Sequence, residues 1–149
     1  MPHEYSKLGI SFLYPENWAL DEEEARLGHR SVTVYSPGGA FWTVTIHPRG
    51  TDPARLARAA VKAIREEYED VDNEAIQENV AGRELVGYNL SFFYLDLTNT
   101  ACVRCVRTKQ ATYTLFCQAE DREFEQIRSV FLAMTTSFLE GLKRLEPLG

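Results

Sequence analysis

Long apolar runs are missing from this 149-residue chain. No stretch approaches the roughly 18 consecutive apolar residues of a membrane span, so membrane insertion is not expected. The opening "MPHEYSKLG" is polar and lacks the apolar centre of a secretory leader, which makes the cytoplasm the expected compartment. A basic excess is missing too. Sixteen Lys and Arg face 22 Asp and Glu, the net charge is −6 and the pI about 5.1. That balance argues against nucleic acid or an anionic membrane as partner. Cysteine is scarce: Cys102, Cys105 and Cys117 are an odd set of three, which fits reduced thiols better than a disulfide framework. The three histidines, His3, His29 and His47, are scattered and show no H-x-x-x-H or H-E-x-x-H spacing. No G-x-S-x-G is present, and "SPGG" lacks phosphate-loop spacing. No metal, cofactor or catalytic set is therefore expected.

What remains is ordinary globular composition, 44% hydrophobic and 26% charged, without repeats or low-complexity tracts. A chain of this length buries about 68–70% of its unfolded surface and needs no staple. A single domain over 1–149 is expected.

In "ISFLY" (10–14), Ile10, Phe12 and Tyr14 share one parity, which predicts a strand. Pro15 has no amide proton and ends it; "PEN" is a turn, and Trp18 opens a short second segment. "SVTVYS" (31–36) and "FWTVTIHP" (41–48) are β-branched and aromatic runs joined by "PGGA", hence an antiparallel hairpin. A helix is predicted from Pro53 to about Asp70, capped by Asp52, with Leu56, Ala60, Ile64 and Tyr68 on one face, widened by Ala57 and Val61. "EAIQENVAGRE" returns the chain to the sheet. "ELVGYNLSFFYLDL" is the longest strand signal, with "TNT" (98–100) as the turn after it. "ACVRCVRT" and "ATYTLFCQA" follow as an antiparallel pair around Lys109-Gln110. From Asp121 as N-cap, Phe124, Ile127, Phe131, Met134 and Phe138 recur at 3, 4, 3, 4 spacing, which predicts an amphipathic helix of about five turns. "PLG" is a tail. The fold class is α+β: an antiparallel sheet of six or seven strands, apolar on both faces and covered by two helices as an α/β/α sandwich.

The order of these pieces resembles the PsbP-like family, whose fold is shared by photosystem II subunit PsbP, the Ran-binding import factor Mog and stand-alone bacterial proteins. Four stretches carry the resemblance: "ISFLYPENW", "VYSPGGAFWTVTI", the helix with "ARAAVKAIREEY", and "ATYTLFCQAEDREFEQIRSVFLAMTTSF". The resemblance implies Pro15 at the border of the sheet and Trp18 folded over one end of the core. Trp42, Phe131 and Phe138 join these two as structural residues. It implies protein partners rather than chemistry, since members bind different proteins and no shared catalytic set maps onto this chain.

Polar candidates remain. "CVRC" has C-x-x-C spacing, but residues three apart on a strand point to opposite faces, so Cys102 and Cys105 do not share a metal. A two-residue turn at Lys109-Gln110 would instead set Cys102 across from Cys117. His47 and Arg49 lie near a helix N-terminus, where an anion can bind. Arg55, Arg58, Lys62 and Arg65 form a basic stripe on the first helix, followed by Glu66, Glu67, Glu69 and Asp70 against the helix dipole. Lys62–Glu66 and Arg65–Glu69 pairs would offset part of that cost, and the stripe suits an acidic partner. Arg104 and Arg107 sit on a strand, on opposite faces; Asp96 is the natural partner, and a polar pocket beneath a helix is the alternative.

The leading functional reading is a non-catalytic module that presents a surface to another protein. A second is a small-molecule pocket or enzyme in a cone-shaped fold of the NTF-two-like type, although such folds usually open with helices. A third is a structural or secretion-linked accessory role.

Overall fold

A computed structural model describes residues 1–146 of the chain; the "PLG" tail lies outside the described residues. The strands are β1 (His3–Lys7), β2 (Ile10–Tyr14), β3 (Ala19–Asp21), β4 (Ser31–Tyr35), β5 (Phe41–His47), β6 (Asp72–Val80), β7 (Arg83–Tyr94), β8 (Leu97–Arg107) and β9 (Thr112–Glu120). The helices are α1 (Glu23–Arg26), α2 (Pro53–Glu67) and α3 (Asp121–Leu145). Seven strands form one antiparallel sheet in the order β3-β4-β5-β9-β8-β7-β6, and β1-β2 form a separate ribbon.

The α/β/α sandwich stands, with α2 and α3 on opposite faces. Ala57 and Val61 of α2 are buried against Leu90, Phe92, Ala101, Val103 and Cys105. Residues of the other parity, including Trp42, Leu115 and Val106, join Phe124, Phe131, Met134, Phe138, Leu139 and Leu142 of α3. As expected, the side chain of Asp52 caps α2, accepting from Ala54 N at 3.0 Å.

Several boundaries differ from the sequence reading, each for a local reason. The first strand does not border the main sheet. It pairs with β1, whose polar residues hide it in the sequence because only Tyr5 is buried. Pro15 therefore closes a ribbon laid over the α3 face. Trp18 does cover the core: its amide donates to Pro15 O at 3.0 Å, and its buried ring meets Phe131 edge-on, centroids 5.9 Å apart. The one-turn helix α1 follows it and buries no residue. The first long helix stops at Glu67, where Tyr68 turns extended. The N-cap of α3 is Glu120, one residue early; its carboxylate accepts from Arg122 N and Glu123 N.

The largest revision concerns "TNT", which lies inside β8. The turn is Leu95-Asp96, with φ of +51° and +62°. Left-handed backbone at both central positions is what the twist of a two-residue hairpin demands. The Leu8-Gly9 and Ala81-Gly82 turns meet the same demand with a glycine in second place. Leu95-Asp96 has none, so no turn signal shows there.

The ribbon approaches α3 closely at Gly141. A Cβ there would lie 2.5 Å from Ser11 Oγ and 2.6 Å from Ser11 O. Gly141→Ala gains about 1 kcal/mol of helix propensity, but overpacking costs about 1–3 kcal/mol. We expect a net loss of up to about 2 kcal/mol in urea unfolding; an increase in stability would mean that β2 does not rest on α3.

Candidate functional site

Two features stand apart from the packed core. The first is a cleft of about 430 Å³ beside α3, over the strands that the ribbon does not reach. Phe124, Arg128, Phe131 and Thr135 form its helical wall, and Glu78, Asn89, Thr100, Cys102, Arg104 and Cys117 its sheet wall. Arg104 is the organising side chain. Its Nε donates to Glu78 Oε1 at 2.7 Å, Nη2 to Asn89 Oδ1 at 2.7 Å, and Nη1 to Tyr88 O and Val103 O, both at 3.0 Å. Gly87 is its register neighbour on β7. A side chain at Gly87 would overlap the Val103 carbonyl, so the strands close up there as only glycine allows.

The partner expected for Arg104 was Asp96, but the turn places Asp96 at the hairpin tip and Glu78 of β6 takes that role. The expectation of a polar pocket beneath a helix fits Arg104. Arg107 is on the other face, exposed, and its Nη2 donates to Thr51 O at 3.4 Å.

Cys102 and Cys117 are register partners across β8 and β9, on the cleft side. The Cys117 thiol donates to the Cys102 sulfur, which is the main reason the Cys102 pKa falls to about 7; burial opposes and Arg104 assists. The same bond, with burial, pushes Cys117 well up. Cys105 points to the α2 face beside Ala57 and Val103, and burial raises its pKa. Cys102 and Cys105 are thus separated by the sheet.

The second feature is the tip of the β7–β8 hairpin. Phe93 is 58% exposed and Leu95 78%, with Tyr94 and Leu97 also exposed. Left-handed backbone is an outlier for a bulky residue such as Leu95. The hairpin is braced just below its tip, where Tyr68 from the end of α2 stacks on Phe92 at 4.3 Å and meets Tyr94 edge-on at 5.7 Å. The sequence reading did not single out this tip. The signal available was the dense run of large apolar residues through Leu97, too long for one buried strand.

The remaining candidates do not converge on either feature. Arg55, Arg58, Lys62 and Arg65 are all exposed on the outer side of α2. Among the described residues no ion pair involves them, so the Lys62–Glu66 and Arg65–Glu69 pairs are not formed. His47, half-buried, shares a 2.9 Å hydrogen bond with Thr114 Oγ1, and burial lowers its pKa. Arg49 is exposed in the following turn, and the Asp52 carboxylate occupies the helix N-terminus that an anion would need.

Among solved structures, the chain is similar to cyanobacterial PsbP from Synechocystis sp. PCC 6803, at 15% identity over 91% of this chain and 90% of that one, with a TM-score of 0.63. It is also similar to the Ran-binding protein Mog1p of Saccharomyces cerevisiae, at 12% identity over 97% and 93%, with a TM-score of 0.57. A Pseudomonas aeruginosa protein of unknown function matches at 9% identity over 91% and 94%, with a TM-score of 0.58. No protein-family model and no curated protein matches the sequence. The chain therefore has the PsbP/Mog-like fold, and likeness at these identities establishes the fold alone.

Two pH responses follow from the geometry. Alkylation of Cys102, which is faced by Cys117, Arg104, Glu78 and Arg128, is expected to accelerate as pH rises through about 7. Acceleration only near the ordinary thiol value of about 8.5 would contradict the hydrogen-bonded pair. For His47, a pKa lowered by burial means that the unfolded chain binds the proton first. Its contribution to stability is complete above the ordinary value of about 6.5 and declines as pH falls through the lower folded value. His47→Gln is expected to flatten the urea midpoint over that window, and an unchanged slope would place the ring in water.

Proposed function

We propose that this chain is a non-catalytic binding module that holds a protein partner through the β7–β8 hairpin tip. The observation that carries this reading is a bulky, exposed leucine in left-handed backbone at the head of an apolar hairpin. Such a conformation costs about 1–2 kcal/mol. A glycine or asparagine turn would remove the cost, and a polar tip would suit water better. A surface that keeps both disadvantages is best explained by what it touches.

The fold offers a precedent, since the yeast protein that shares it is a Ran-binding protein. The partner's identity does not carry over at 12% identity. Its chemistry follows from this chain's own surface. An apolar socket receives Phe93 and Leu95, and acidic groups face the stripe of Arg55, Arg58, Lys62 and Arg65. Asp96 sits beside Leu95 in the turn itself, whereas His47, Arg49 and Arg107 are peripheral in this reading. Among the described residues no helix is long and apolar enough to cross a membrane. The odd cysteine count supports a reducing compartment, the cytoplasm in our reading.

Leu95→Asn separates folding from binding, because asparagine tolerates left-handed backbone while removing the apolar contact. Stability should rise by about 0.5–1 kcal/mol in urea unfolding. Affinity capture from the native cell with the tagged chain should recover one stoichiometric protein, and Leu95→Asn with Phe93→Ser should recover about tenfold less, as for a buried apolar anchor. Undiminished capture by the double variant, or recovery of a metabolite in place of a protein, would overturn the proposal.

A further inference from the structure

The cleft beside α3 serves no purpose in partner binding by the hairpin tip, yet it holds a pair of facing thiols. Cys102 and Cys117 face each other directly across two central strands and point to the same side. Residues opposite one another in an antiparallel ladder have Cα atoms about 4.5–5.5 Å apart. That separation lies within the roughly 4.4–6.8 Å that a disulfide spans.

The two sulfurs are not equivalent. Cys102 and Arg104 lie on the same face of β8, and Arg128 lines the opposite wall from α3. Both guanidinium groups favour a thiolate at Cys102 and stabilise oxyanion character on a leaving oxygen. Burial and the facing Cys102 sulfur favour the protonated thiol at Cys117. Cys105, on the far side of the sheet and 3.5 Å from Thr114 Oγ1, has no access to this chemistry.

We propose that Cys102 and Cys117 form a dithiol site that a small hydroperoxide oxidises to an intramolecular disulfide, with Cys102 as the attacking sulfur and Cys117 as the resolving one. In the first step the Cys102 thiolate attacks the terminal peroxide oxygen and the O–O bond breaks. The product alcohol, or water when the oxidant is hydrogen peroxide, leaves after taking up a proton from solvent. Cys102 becomes a sulfenic acid, two electrons having passed to the peroxide. In the second step the Cys117 sulfur attacks the Cys102 sulfur, the S–O bond breaks, and the hydroxyl departs as water with the Cys117 proton. Two thiols and one hydroperoxide thus give one disulfide, one alcohol and one water. The reaction is stoichiometric: renewal requires an external thiol reductant. Its consequence is local, because a covalent link replaces the thiolate beside Arg104 and ties β8 to β9 under the first turns of α3.

The test uses the full chain with hydrogen peroxide as the probe. One equivalent should remove two hydrogens by intact mass and yield a linked Cys102–Cys117 peptide, while Cys105 stays open to alkylation after unfolding. The reaction should run on the order of tenfold faster than that of free cysteine at neutral pH, reflecting the larger thiolate fraction. Cys117→Ser should stop at a sulfenic acid that a cyclic diketone traps, and Cys102→Ser should give neither product. Arg128→Gln, at the solvent-exposed rim of the cleft, should slow the first step severalfold. Oxidation spread equally over Cys105, dimers linked between chains, or a Cys102 that passes to sulfinic acid without closing the bond would each overturn the proposal. The mass and peptide measurements need only the unaltered protein, so a variant that fails to fold leaves the test intact. They are independent of whether the hairpin tip binds a partner.

Discussion

Three layers of the molecule meet at Trp42. Its ring lies in the middle of the sheet face opposite α2, with Phe12 of the ribbon 4.8 Å away on one side and Phe138 of α3 6.3 Å away on the other. The indole N–H would be costly to bury unpaired, and it donates to Thr135 Oγ1 at 3.1 Å. One side chain therefore fixes the lateral position of α3 against β5 and the position of the ribbon against both. Losing such a ring costs about 3–5 kcal/mol in a packed core, a large share of the total stability of a small domain. Trp18 extends the same cluster through Phe131, which touches Phe124 in turn.

That arrangement also decides where the molecule is open. The ribbon and α3 together cover one face of the sheet from β4 to β9. A seven-stranded sheet is wider than one helix and one hairpin, so the outer strands β6, β7 and the near part of β8 are left partly bare on that side. Polar residues occupy the bare floor: Glu78, Asn89, Thr100 and Arg104. Arg104 is tolerable there because all its bonds are made within the protein, to one carboxylate, one amide and two backbone carbonyls. On the opposite face α2 sits over β7, β8 and β9, which is why Cys105 is sealed there and Cys102 is not.

Much of this was legible in the sequence, and the rest was hidden for identifiable reasons. Periodicity exposed α3, because Phe124, Phe131, Met134 and Phe138 are all buried, and it exposed α2 and the β4–β5 hairpin equally well. The Cys102–Cys117 register followed from a two-residue turn at Lys109-Gln110 and is what the strands show. β1 was invisible because a strand that buries one residue in five carries almost no pattern. The tip was misplaced because "TNT" has turn-forming residues and Leu-Asp does not; tertiary pairing of two long strands overrode local preference. The partner of Arg104 was missed with it, since shifting the turn to Leu95-Asp96 moves Asp96 away and brings in Glu78, 26 residues upstream of Arg104. Contacts set by strand order lie outside what spacing along the chain can reveal.

Several of the places where local rules fail lie close together. The closure of the strands at Gly87, the half-buried guanidinium of Arg104, the facing thiols and the left-handed Leu95-Asp96 turn all involve β8 or its hairpin with β7. Elsewhere pattern and packing largely agree: side-chain caps on α2 and α3, a glycine in second place at the Leu8-Gly9 and Ala81-Gly82 turns, and a continuous aromatic core. Several such costs gather in one supersecondary unit, and costs of this kind persist when they serve something other than folding. The β7–β8 hairpin is long enough to run from the protein interior to its surface, with the cleft near its middle and the apolar tip at its end. Pairing on both sides holds it, to β6 as far as Ser91 and to β9 as far as Asn99, and Tyr68 packs on Phe92 and Tyr94 just beyond. A stiff element held in that way presents its end residues at a fixed place, which is what a docking surface requires and what a flexible loop does not supply.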